Sequence, residues 1–170
     1  MRYNVGYAVT LGFVPAFLVS QAFSVERSGV LLGVALVLFV GSVQVGGAAA
    51  QWLARPDGVV VLGLLPFGVA LSALPYVSPL PCLLVIGLFA GLPAAALVAA
   101  PTQVLSQGSR AAGMGLFYTW YYAGMALLPS VAGWLQDVVG GAAAIGFAAA
   151  AIFMTAVSHF AFRGTVARQE

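Results

Sequence analysis

Apolar residues fall along this chain in long blocks, separated by a few polar or turn-forming residues. A hydrocarbon core about 30 Å thick takes about 20 apolar residues to cross as a helix, so each block has the length of one crossing. Six blocks qualify: residues 5–23, 30–53, 59–76, 80–102, 112–135 and 142–162. The connections "SVERSG", "ARPDG", "VSP", "QVLSQGSR" and "QDVVGG" leave no room for a soluble domain. An open strand in hydrocarbon leaves backbone amides unpaired at several kcal/mol each, whereas a helix pairs its own. The pattern predicts an all-α membrane protein, one domain of six antiparallel transmembrane helices.

Composition supports the same solvent. The chain is 62% hydrophobic and 6% charged, and its mean hydropathy is +1.07. A soluble domain carries about a quarter charged residues, so this one lacks the charge to solvate its surface. The net charge of +2 comes from scattered arginines that form no basic stripe, which excludes nucleic acid as a partner. With six crossings both termini share one side. Arg2, Arg55, Arg110, Arg163 and Arg168 fall there, and Arg27, beside Glu26, falls opposite, so both termini are expected in the cytoplasm. The start "MRYNVGYAVTLGFVPAFLVSQA" has the outline of a secretory signal. Pro15 and polar residues interrupt its apolar core and it is long enough to span, so it is read as the first crossing. Cys82, a single cysteine in an apolar run, has no partner for an internal disulfide.

Prolines punctuate the spans: Pro15 the first, Pro66 the third, Pro93 the fourth and Pro129 the fifth. Membrane helices tolerate proline because neighbours satisfy the freed carbonyl. Compared as triplets, spans one to three and four to six both carry a proline in the leading helix, at Pro15 and Pro93. Interrupted helices at corresponding positions are a device of inverted-repeat transporters. Gly29 with Gly33, and Gly87 with Gly91, have the spacing that lets helix backbones approach, and are read as packing.

The stretch "FYTWYYAGMALLP" concentrates polar aromatic side chains. On a helix Tyr118, Tyr121, Tyr122 and Met125 share one face, and Thr119, Ala123, Ala126 and Ser130 another. Two readings stand side by side. Tyrosine is enriched in interfacial belts, which suits Tyr118 best; Tyr121 and Tyr122 lie deeper, where a hydroxyl needs a bundle interior or a wet cavity. Asn4, Tyr7 and Thr10, then Gln21, Ser42, Gln44, Thr102 and Gln103, add polar groups to spans one, two and four. Span three has almost none, and span six keeps Thr155, Ser158 and His159 at its cytoplasmic end. Spans one, two, four and five are therefore expected to line a cavity, and three and six to face lipid.

Catalytic chemistry has no foothold here. One histidine and one cysteine sit in different spans, no carboxylate pair lies within a span, and no glycine-rich phosphate loop follows a strand. The chain is expected to be no enzyme and to hold no cofactor or metal. No charged side chain is buried in a crossing, so it offers no coupling carboxylate of its own. Asp57 and Asp137 read either as solvated loop charge or as latches at helix ends, and His159 as an interfacial side chain.

The run "GSRAAGMGLFYTWYYAGMALLPSVAGWLQDVVG" orders Arg110, Gly113, Gly115, Tyr118, Tyr122, Gly124, Pro129, Gly133, Trp134, Asp137 and Gly140 in a distinctive series. It resembles the tenth-to-eleventh helix segment of major facilitator superfamily transporters, and within them is most similar to bacterial permeases of the cyanate-transporter-like kind. The resemblance covers the chain as the carboxy-terminal six helices. It implies a 3+3 inverted-repeat half bundle in a bacterial cytoplasmic (inner) membrane, moving a small organic solute by rocking against a partner half. It further implies that Tyr7, Gln44, Tyr118, Tyr121 and Tyr122 contact the solute, while Pro15, Pro93, Gly124 and Pro129 let helices bend and pack. After the second span, "GGAAAQWLARPDG" aligns Gly46 or Gly47 and Arg55 with a latch motif whose usual aspartate is here Ala54. Asp57 stands near enough to compensate, and Arg55, Asp57, Arg110 and Asp137 are the latch candidates. The family's unit has twelve helices, so the expected partner is an amino-terminal six-helix half: missing, on a separate chain, or a second copy. The rival expectation is a non-transporting membrane assembly or binding protein, or an inactive truncated copy.

Overall fold

The computed structural model describes residues 2–52, 56–106, 108–140 and 142–166. Every regular element among them is an α-helix: α1 (Arg2–Ser20), α2 (Val25–Trp52), α3 (Pro56–Ala73), α4 (Pro79–Ala90), α5 (Ala94–Val104), α6 (Arg110–Val139) and α7 (Ala143–Val166). Among the described residues, four stretches are long and apolar enough to cross a membrane: Tyr3–Ser20, Val25–Trp52, Pro79–Ala99 and Ala143–Ala161. The third of these runs through α4 into α5. Asp57–Ala73 is a shorter apolar helix. α6 has the length, at 30 residues, but its tyrosines, tryptophans and glycines make it less apolar.

Turn chemistry fixes the helix ends. α6 stops at Gly140, whose φ of +75° suits a residue without Cβ and whose N–H bonds the Gln136 carbonyl at 2.8 Å. The Gln136 side chain then accepts from Ala144 N–H at 3.2 Å, joining the end of α6 to the start of α7. α1 ends on the same logic with a different residue. Phe23 N–H reaches back to the Leu18 carbonyl at 3.1 Å, and Ala22 takes a φ of +65° in the position glycine usually fills.

Packing is organised around α3 and α7, which lie against each other. α1 packs on α7 and α6, while α4 packs on α3 and α2. The interior is built from Val9, Val14 and Leu18 of α1, Leu64, Phe67 and Leu71 of α3, Leu83 and Ile86 of α4, and Ile145, Ala148 and Ile152 of α7. Glycines set the closest approaches: a Cβ on Gly6 would collide with Ile152, and one on Gly68 with Phe153. These contacts obey an exchange rule. Swapping α1 with α4/α5, α2 with α6 and α3 with α7 carries α1·α7 onto α4·α3, α2·α4 onto α6·α1, and α2·α3 onto α6·α7.

Three expectations change shape. α1 runs unbroken through Pro15, as α3 does through Pro66 and α6 through Pro129: each proline takes one bond out of the ladder and the flanking turns carry on. The stretch read as the fourth crossing holds two helices, with Pro93 immediately before α5. The third and sixth spans do not simply face outward: they supply much of the core, and only one side of each, at Leu62, Leu65 and Val69 or Met154, Val157 and Phe160, is exposed. α2 and α6 are the exposed helices instead, with Ser28, Ala35, Ser42 and Gly46 buried in one and Gly124 and Ala132 in the other.

Candidate functional site

The junction between α4 and α5 is where the bundle's polar groups converge. Leu92 N–H bonds Phe89 at 3.3 Å and Ala94 N–H bonds Gly91 at 3.1 Å, both three residues back, so the chain tightens there to a 3₁₀-like turn. Pro93 accounts for part of this, having no N–H to offer the Phe89 carbonyl. Side chains from two other helices account for the rest. Gly91 N–H donates to Ser42 Oγ of α2 at 3.1 Å, and the Ser42 hydroxyl faces the Gly87 carbonyl at 3.0 Å and its own helix's Phe39 carbonyl at 2.9 Å. Tyr3 of α1, itself buried, donates its hydroxyl to the Ala90 carbonyl.

Small residues let these groups meet. A Cβ on Gly91 would overlap Ser42 Oγ and the Phe39 carbonyl, and one on Gly46 would overlap the Leu92 backbone. On the α3 side, Gly63 leaves room for the Pro93 ring. No larger residue fits at any of the three without moving a backbone.

The tyrosines gather beside this junction. Tyr7 of α1 stacks on Phe39 of α2, with ring centroids 4.4 Å apart. On α6, Tyr118, Tyr121 and Tyr122 touch one another at 5.2–6.1 Å, and Phe117 joins Tyr118 and Tyr121. Asn4 Nδ2 lies 3.3 Å from Met125 Sδ, a polar contact tying α1 to α6. Between α2, α5 and α6 an open groove of about 520 Å³ is lined by Val43, Ala94, Ala95, Val98, Met114 and Tyr118.

The sequence-predicted residues are distributed over this region unevenly. Tyr118 lines the groove, Tyr121 is half-buried and Tyr122 is exposed. Gln44 is exposed on α2, next in sequence to the groove-lining Val43, and Tyr7 lies across α2 against Phe39. Gly124 is buried and Pro129 half-buried within a continuous α6. Arg110 and Asp137 are exposed near opposite ends of α6, and Arg55 lies outside the described residues. Asp57, in the first turn of α3, lies against α7: its Oδ1 is 2.9 Å from His159 Nε2. The approach lacks the alignment of a hydrogen bond and acts as an ion pair when the imidazole is protonated. Tyr3 is a residue that sequence reasoning misses, because its role depends on a carbonyl in another helix.

No group of three or more His, Cys, Asp or Glu side chains that could hold a metal occurs among the described residues. No family model matches the chain, and no curated protein or solved structure matches it.

Proposed function

We propose that this chain is one half of a secondary transporter of the major facilitator kind, moving a small organic solute across a bacterial cytoplasmic membrane by alternating access against a second six-helix half. The observation that carries this is the exposed polar face of α2 and α6. Gln44, Tyr118 and Tyr122 stand exposed on helices whose other exposed side chains are mostly apolar. Hydrocarbon cannot satisfy an amide or a phenol, whereas a wet path or a polar solute can.

Two further features support the reading. The exchange of contacts that relates α1–α3 to α4–α7 is what a 3+3 repeat produces. Six crossings also accommodate every helix. α4 with α5 makes one, the 18 residues of α3 reach about 27 Å, close to a thin bilayer's core, and α6 is longer than it needs to be. Both termini then lie in the cytoplasm, the Asp57–His159 pair sits at that end, and α2 and α6 turn their polar face to the partner half.

Uptake of a panel of labelled small organic solutes by vesicles tests this, with the chain alone and with candidate amino-terminal halves. Accumulation that disappears in Tyr121→Ala at equal protein level is the expected result. No uptake with any half, in protein that is folded and correctly oriented, would leave the non-transporting assembly protein as the reading.

A further inference from the structure

We infer that the α4–α5 junction is a rotary hinge, and that the hydroxyls of Ser42 and Tyr3 hold it in its tightened state. In a regular α-helix Gly91 N–H would bond the Gly87 carbonyl, and Ala94 N–H the Ala90 carbonyl. Here both of those bonds are replaced. Ser42 Oγ is interposed between the first donor and acceptor, and Tyr3 takes the second acceptor while Ala94 N–H turns to Gly91. A side chain inserted into the helical ladder is one of the few established causes of a local change in helix course, and a short 3₁₀ stretch within a helix marks a hinge. Only the loss at Pro93 is covalently fixed. The two hydroxyl bonds are exchangeable, since each displaced partner lies within the same turn.

The geometry of the exchange gives it a direction. A 3₁₀ turn advances 120° per residue and an α-helix 100°, so converting the tightened residues to α geometry turns α5 by about 60° relative to α4. Ala94, Ala95 and Val98 line the groove in the tightened state. After the turn Val98 would point away from that direction and Ala96 nearer to it, while Ala95 would still face the groove. The hinge thus selects which side of α5 faces α2 and α6. This inference stands whether or not the chain carries a solute.

A thiol scan along α5 tests it. In the full chain with Cys82→Ala, held in nanodiscs, single cysteines are placed at Ala95, Ala96, Leu97 and Val98 and reacted with a small water-soluble methanethiosulfonate. The native pattern is expected to peak at positions 95 and 98. Adding Ser42→Ala should move its phase by about 60°, with position 96 gaining rate, position 98 losing it and position 95 staying reactive, whereas Ser42→Thr, which keeps the hydroxyl, should hold the native phase. An unchanged phase in folded Ser42→Ala, or the same shift in Ser42→Thr, overturns the hinge. Where Ser42→Ala does not fold, Tyr3→Phe decides by the same criterion, because it frees the Ala90 carbonyl for Ala94 N–H.

Discussion

Ala22 illustrates how one residue's backbone records a compromise. It occupies the left-handed position after α1 at φ +65°, a conformation that costs an L-residue roughly 1–2 kcal/mol and glycine almost nothing. The side chain is exposed, so nothing is lost by removing its methyl group. Ala22→Gly is expected to stabilise the fold by about 0.5–1 kcal/mol, after the extra chain entropy that glycine brings to the unfolded state. Reversible unfolding in mixed micelles would measure it; a loss of stability would mean the turn is not formed as described. At this scale the sequence was partly readable. Gly87 and Gly91 stood out by their spacing, and both sit in close contact, Gly87 against Ala35 and Gly91 against Ser42. Which carbonyl Ser42 would reach was not readable, because the bond joins residues in different helices and its geometry exists only after packing.

Elements were more legible than their faces. Each apolar block yielded helix, because backbone self-sufficiency in hydrocarbon leaves no other choice, and Pro93 announced a discontinuity that its missing N–H helps to cause. Which helices would be covered was harder to read. α3 and α7 looked like lipid-facing helices for want of polar residues, yet burial in a bundle and exposure to lipid select the same side chains. The polar residues of α2 and α6 carried the clearer signal. If their exposed face is wet, Tyr122→Cys and Gln44→Cys in the Cys82→Ala chain should react with a charged thiol reagent in vesicles at least tenfold faster than Val69→Cys or Val157→Cys, which stand on the apolar outer sides of α3 and α7. Equal rates would show that the tyrosines merely decorate a lipid-facing helix.

For the whole molecule, the arrangement of crossings is the property from which the rest follows. Four stretches qualify by length and composition, and α3 and α6 decide between four crossings and six. The turn before α6 at Gly108 and the far end of α6 at Asp137 are both exposed. With six crossings, a cysteine at Gly108 should be modified from the cytoplasmic side and one at Asp137 from the opposite side, as read by impermeant reagents on oriented vesicles. Finding both on one side would remove α6 from the membrane and the half-bundle reading with it. Arginine placement made this orientation arguable from sequence. The repeat behind the exchange symmetry had only the paired prolines Pro15 and Pro93 and the family resemblance to announce it, since the symmetry itself relates pairs of helices.

The hydroxyls at the α4–α5 junction also bear on how the protein is made. Tyr3 and Ser42 belong to helices synthesised before Gly91 leaves the ribosome. When α4 and α5 enter the bilayer, their backbone has only itself to bond with, and the most self-sufficient form is a more regular helix broken by Pro93 alone. The bonds to Ser42 and Tyr3 can form only when that helix docks against α1 and α2, already in place. Their presence in the mature chain is therefore a signature of assembly rather than of insertion.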